Sequence, residues 1–160
     1  MEIEDKFEKI RNSFLILLLL LVSLVIYFPS LSGKLFFDDE YIIVRNSYVQ
    51  DFSVVKIFTS QLYAGAGQSG TFYRPLQPFF HSLIYQFFKT SPLPHHLFSL
   101  LLHFGSAVLL FFLLRDFNIS KLISFFSALL FVVHPINTSP VSYVSCLVTL
   151  LDCFFFYLLF

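Results

Sequence analysis

Residues Phe14 to Phe28 read FLILLLLLVSLVIYF, with Ser23 the one clearly polar position. With its flanks this run supplies about 19 residues, enough for a helix to cross a hydrocarbon core of roughly 30 Å. The first transmembrane helix is therefore expected at about 13–31, ended by Pro29 and Gly33. Lys6, Lys9 and Arg11 stand before it, among Glu2, Glu4, Asp5 and Glu8. By the positive-inside rule they place segment 1–12 in the cytoplasm. Tyr27-Phe28-Pro29 offers no small-residue cleavage site, so the span reads as an uncleaved anchor. The stretch just beyond it, Phe36-Phe37-Asp38-Asp39-Glu40-Tyr41, then emerges on the opposite side. That side is the exterior of a bacterial inner membrane or the lumen of the endoplasmic reticulum.

Composition agrees with a bilayer environment. Of 160 residues, 57% are hydrophobic, 20% aromatic and only 12% charged, with 24 phenylalanines. Such a chain lies outside the soluble range and inside the membrane class. A formal net charge of +0 leaves no basic field, so nothing supports nucleic acid as a partner, and membrane lipids are expected. Cys146 and Cys153 fall on one predicted helix about 10 Å apart, beyond disulfide reach.

Nearly all remaining charge lies in one external loop, about 34–94. Within it Phe52, Val55, Phe58 and Leu62 recur at helical spacing, and Gly65-Ala66-Gly67-Gln68-Ser69-Gly70 reads as a flexible turn. A stronger pattern runs over Leu76, Phe79, Phe80, Leu83, Ile84, Phe87 and Phe88, opposite Gln77, His81, Gln86 and Lys89. It predicts an amphipathic interfacial helix with one wet and one greasy face, opened by Pro75. Three further transmembrane helices are expected at about 95–114, 121–136 and 141–160, the second beginning at a snorkelling Lys121 after the basic turn Arg115 to Lys121. The fold class is thus an all-α membrane protein with about four transmembrane helices and a large external loop after the first. The last helix runs to Phe160 without cap or anchor, which predicts a piece of a longer multi-spanning protein or a remnant of one.

Candidate chemistry concentrates in the loop. Three adjacent acids, Asp38, Asp39 and Glu40, repel one another, so at least one pKa is expected to rise toward the range of a general base. An ordinary acidic turn is the plainer alternative. Arg74, in Phe72-Tyr73-Arg74-Pro75-Leu76, can grip a phosphate with two parallel hydrogen bonds or simply touch a lipid headgroup. None of the five histidines pairs at i, i+4 with an adjacent acid, so the sequence points to no metal site. Asp152 stands inside an apolar helix, where an acid faces the bundle interior and a functional site by default.

Taken in order, Phe36-Phe37-Asp38-Asp39, Asn46, Tyr73-Arg74-Pro75-Leu76, Pro94-His95-His96-Leu97, Leu101-Leu102-His103 and Phe131-Val132-Val133-His134-Pro135-Ile136 resemble the amino-terminal part of the membrane O-mannosyltransferases that carry tetratricopeptide repeats, and their bacterial relatives. These belong to the C-type (GT-C) membrane glycosyltransferases. The resemblance implies that 13–160 is a partial domain of that fold. It implies inverting transfer of a sugar from a polyprenyl-phosphate carrier to an acceptor hydroxyl, on a protein or a glycan, at the outer face. Asp38 or Asp39 would take the acceptor's proton and Arg74 would hold the departing phosphate. Glu40, Tyr73, His134 and Asp152 would join Arg74 in binding substrate. No cofactor is implied, and a divalent metal is left open.

Two positions depart from the family pattern. Ser139 stands where the family has Glu, and Thr149 where it has Asp, with Asp152 one helical turn further on as the candidate substitute. The competing expectation is therefore a non-catalytic remnant, or a small membrane partner of a larger transferase.

Overall fold

A computed structural model describes residues 2–160. Met1, and the side chains of Glu2, Ile3 and Asp5, lie outside the described residues, and with them part of segment 1–12. The described residues are helical and contain no strand. The helices are α1 Glu2–Glu8, α2 Asn12–Tyr27, α3 Ser47–Gln50, α4 Val54–Thr59, α5 Leu76–Phe88, α6 Pro92–Asp116, α7 Lys121–Val133, α8 Thr138–Ser142 and α9 Leu147–Leu159.

α2 continues through a 3₁₀ turn to Ser32, and α6 covers 25 residues; both are long and apolar enough to cross a membrane. α2 turns one stripe inward, Leu15, Leu19, Ser23 and Tyr27 at successive i+4 positions. Leu17, Leu21 and Val25 stay exposed, as suits a helix facing lipid. The helix expected at 121–136 instead stops at Val133 and resumes after a bend of 49°. Pro135 forces the break, since it has no N–H to give and disfavours helix at the residue before it. The carbonyls it frees find partners: Phe131 O accepts from the Asn137 amide at 2.7 Å, and Val132 O from the Tyr27 hydroxyl at 3.2 Å. By length and composition the chain has two candidate spans, or three if the bent α7–α8 pair counts as one; α9 is shorter.

α2, α6 and α7 run up, down and up. At the α1 end Leu15, Leu19, Ala107, Phe111, Phe125 and Ala128 form one core. At the opposite end Tyr27, Leu100, Val141, Leu147, Leu150 and Leu151 form a second, which brings α9 against α6. Gly105 makes that packing possible, because a Cβ there would lie 2.9 Å from the Phe154 ring. A third cluster, Ile42, Ile43, Leu62 and Val144, ties the long loop to the turn before α9.

Three sequence expectations change here. Lys121 does not snorkel; it is buried, and its ammonium donates to the carbonyls of Glu8 at 2.6 Å and Ile10 at 3.0 Å. α5 occupies the predicted span, yet the face expected to be wet is divided: Gln86 and Lys89 are exposed as expected, and its first half points into the protein. Gln77, His81 and Ser82 are buried, while Leu83, Phe87 and Phe88 are exposed. Ser82 donates to Val49 O and Gln77 to Ser145 O, each at 2.7 Å. Burial pushes His81 well below the usual histidine range, and His95 beside it, with ring nitrogens 3.1 Å apart, adds to this. The Gly-rich segment is not a loose turn either. Ser47 donates to Gly65 O at 2.9 Å, Gly70 N donates to the Gln61 side chain at 2.8 Å, and Leu62 N donates to Phe72 O at 2.9 Å.

Candidate functional site

The acidic trio is split by the backbone into three different environments. Phe37 sits at φ 50°, a left-handed conformation that a bulky side chain rarely adopts and that often marks a constrained functional turn. It closes a tight turn in which Asp39 N and Glu40 N bond to Phe36 O and Phe37 O, each at 3.1 Å. Along this turn Asp38 is exposed, Asp39 buried and Glu40 intermediate.

Asp39 goes inward and is fully buried. One of its oxygens accepts the Ser145 hydroxyl, and the other accepts Phe36 N at 3.1 Å. Burial raises its pKa, while these hydrogen bonds and the nearby His96 imidazole pull the other way. The rise anticipated from mutual repulsion of the trio thus comes from desolvation. Glu40 is half exposed and forms an ion pair with Arg45, with hydrogen bonds of 2.9 and 2.6 Å, along the π-type turn Glu40–Val44. Asp38 alone is exposed and faces a cleft of about 330 Å³, with Tyr41, Tyr63, Gln68 and Ser69 as its other walls.

Arg74 is brought to a second cleft, of about 360 Å³, with Tyr73, Gln77 and, from α9, Val148, Leu151 and Asp152. Two residues far apart in sequence therefore share one hollow at the end of α5. Arg74 also lies over the Phe72 ring, 5.1 Å from its centroid. Tyr63 belongs to the first cleft. Burial raises its pKa, Asp38 raises it further and Arg74 lowers it, so acid and guanidinium both lie within electrostatic reach of one phenol.

His134 is placed elsewhere. Its Nδ1 accepts from Ile136 N at 3.2 Å, capping the 3₁₀ turn after the α7 break, and it lines a separate groove with Leu130, Phe131 and Asn137. Ser139 is exposed on α8, away from both clefts.

Over 142 residues the chain is 30% identical to a protein O-mannosyl-transferase of Caenorhabditis elegans, a match that covers 83% of this chain and 20% of that protein. It is a distant relative of an O-mannosyltransferase. The chain spans about a fifth of that relative's length. No protein-family model matches the chain, and no solved structure does. The relationship suggests a glycosyltransferase-like function, and together with the two apolar helices it suggests a membrane protein.

Sequence reading passed over Ser145, which holds Asp39, and Tyr63, which lines the Asp38 cleft. Neither lies in a periodic pattern or charged motif. Their segments meet through the cluster that holds Leu62 and Val144.

Proposed function

We propose that the chain is the amino-terminal region of a multi-spanning C-type membrane glycosyltransferase that moves a sugar from a polyprenyl-phosphate donor to an acceptor hydroxyl on the outer face. The amino terminus lies in the cytoplasm, α2, α6, the bent α7–α8 pair and α9 cross the bilayer, and the loop between α2 and α6 rests at the surface with α5 embedded among lipid headgroups. The observation that carries the reading is that the long loop sets exposed Asp38 in one cleft and Arg74 in another that it shares with Asp152 of α9.

In this mechanism Asp38 accepts the proton of the acceptor hydroxyl. The freed oxygen attacks the anomeric carbon from the face opposite the phosphate, and the bond from carbon to phosphate oxygen breaks with its electron pair leaving on the phosphate. Arg74 receives that charge through its paired N–H donors. Asp152, in the same cleft, accepts hydrogen bonds from sugar hydroxyls. Asp39 holds the turn that presents Asp38.

The substitution of Ser139 for the family's Glu favours a second reading, a non-catalytic membrane partner of a larger transferase. One experiment separates the two. Asp38→Asn and Asp39→Asn are made separately in the full-length gene product, and sugar transfer from a polyprenyl-phosphate donor is measured. The proposal expects Asp38→Asn to lose about 10² to 10⁴ in rate with an unchanged thermal midpoint. Undiminished turnover in that variant refutes the base assignment, and no turnover by the wild type supports the partner reading.

A further inference from the structure

The groove that holds His134 stands apart from both clefts. Ser127, Leu130, Phe131 and His134 follow one another at i, i+3, i+4 and i+7, so they form one stripe along α7 and its end, about 10 Å long at roughly 1.5 Å rise per residue. The bend at Pro135 brings Ile136 and Asn137 to the end of that stripe, and the six residues line a hollow of about 370 Å³. Leu130 and Ile136 are exposed apolar walls. Phe131 is fixed from behind: it stacks on the His103 ring, with centroids 4.9 Å apart, and meets Tyr157 edge-on at 6.2 Å.

The polar end of the groove is set by hydrogen bonds already made. His134 Nδ1 accepts from Ile136 N at 3.2 Å, so the neutral ring carries its proton on Nε2, a donor with no partner among the described residues. The Asn137 amide nitrogen donates to Phe131 O at 2.7 Å, which leaves its carbonyl oxygen as an acceptor. One donor and one acceptor therefore stand at the end of an apolar groove.

We propose that this groove binds a membrane phospholipid whose headgroup carries its own hydrogen-bond donor, of the phosphatidylethanolamine kind. The site uses the topology given above, with the α7 bend at the bilayer surface, and none of the transfer chemistry. A phosphate oxygen accepts from His134 Nε2–H, the headgroup ammonium donates to Asn137 Oδ1, and an acyl chain lies along Phe131 and Leu130 toward Ser127. A soluble anion would leave the apolar walls uncovered. A plain hydrocarbon chain would cover the donor and the acceptor without pairing either, which is costly. A choline headgroup has no N–H or O–H and satisfies the histidine alone. Because Phe131, His134 and Asn137 are already held in place, little order is lost when the lipid arrives.

The test uses the full-length gene product, delipidated in detergent and titrated with dioleoyl phosphatidylethanolamine, with bound lipid counted by native mass spectrometry. The wild type is expected to hold this lipid about tenfold more tightly than dioleoyl phosphatidylcholine and about a hundredfold more tightly than dioleoylglycerol, which lacks both phosphate and ammonium. His134→Phe keeps an aromatic ring and loses the donor, so it should bind phosphatidylethanolamine about tenfold more weakly and dioleoylglycerol unchanged. Leu130→Trp, at an exposed position, fills the groove and should weaken all three lipids. Thermal midpoints confirm folding, and the headgroup comparison needs no variant. Equal phosphatidylethanolamine affinity in the wild type and both variants overturns the proposal, as does equal binding of phosphatidylethanolamine and dioleoylglycerol by the wild type. So does displacement of the lipid by polyprenyl phosphate with the same dependence on His134, which would make the groove part of the donor's path. The expected lipid pattern in a protein that transfers no sugar upholds the site and counts against the transferase reading alone, so the two failures are distinguishable.

Discussion

Ser145 donates its hydroxyl to the buried carboxylate of Asp39, fastening the turn after the first span to the segment that leads into α9. The link explains how two adjacent acids come to differ: Asp39 is consumed in holding the turn, and Asp38 is left exposed on the cleft. Removing the donor with Ser145→Ala should destabilise the protein by about 1–3 kcal/mol, the usual effect of leaving a buried polar group without its partner. Folding raises the Asp39 pKa above its ordinary 3.8, so the folded state holds this proton more tightly than the unfolded chain does. The group's contribution to stability is complete below 3.8 and is lost as pH climbs through the raised folded value. Asp39→Asn has no such proton. The wild-type thermal midpoint, taken relative to that of the variant, should fall as pH rises from 3.8 toward neutrality, and a difference that stays constant would contradict this linkage.

Arg74 should be sensitive to shape as well as to charge. A lysine in its place keeps the charge but loses the planar fork that meets two phosphate oxygens at once. We expect Arg74→Lys to raise KM for the polyprenyl-phosphate donor about tenfold, as loss of one charge-assisted hydrogen bond of about 1.5 kcal/mol implies, and Arg74→Gln to raise it further. Arg74 is exposed, so neither change should move the thermal midpoint. Donor titrations on the two variants provide the check.

Local pattern was readable and long-range placement was not. The apolar run at Phe14–Phe28 located α2, and the spacing of Leu76 to Phe88 located α5, because a period of 3.6 is a property of neighbouring residues. Which face of α5 turns inward could not be read the same way. Apolar residues face inward when water surrounds a protein, and beside lipid the preference weakens, leaving polar contacts such as Ser82 to Val49 to orient the helix. The split between Asp38 and Asp39 depends on one backbone angle at Phe37, and no residue type announces it. The meeting of Arg74 with Asp152 depends on how α9 packs on α6, which rests in part on Gly105 facing Phe154.

Gly65 should tolerate no side chain. A Cβ there would overlap Asn46 Oδ1, and Asn46 is itself fixed, since that oxygen accepts Tyr48 N at 3.1 Å and its amide donates to Leu62 O. Gly65→Ala must push the Gly-rich segment off Asn46 and should destabilise the fold by about 1–3 kcal/mol. Asn46→Ala removes the obstacle along with its hydrogen bonds. The two changes together should therefore be less harmful than their separate effects added, with a coupling of about 0.5 kcal/mol or more. A denaturant-based double-mutant cycle tests this, and strict additivity would show that the contact does not govern the loop.

Glu8 organises the opposite end of the bundle. Its carboxylate takes two hydrogen bonds from Arg115, at 2.9 and 3.2 Å, and one from Lys121 N at 2.8 Å, closing α1 onto the turn between α6 and α7. The backbone hydrogen bond from Lys121 is the chief cause that lowers its pKa below the ordinary 4.5, with the charges of Arg115 and Lys121 assisting. The sign is opposite to that of Asp39: the stabilisation is present above 4.5 and is lost as pH falls through the lowered folded value. Glu8→Gln should therefore lower the thermal midpoint near neutral pH and leave little difference from the wild type in strong acid. Because the pair is exposed, added salt should shrink the gap at neutral pH. A gap that widens on acidification would mean that Glu8 holds α1 through something other than its charge.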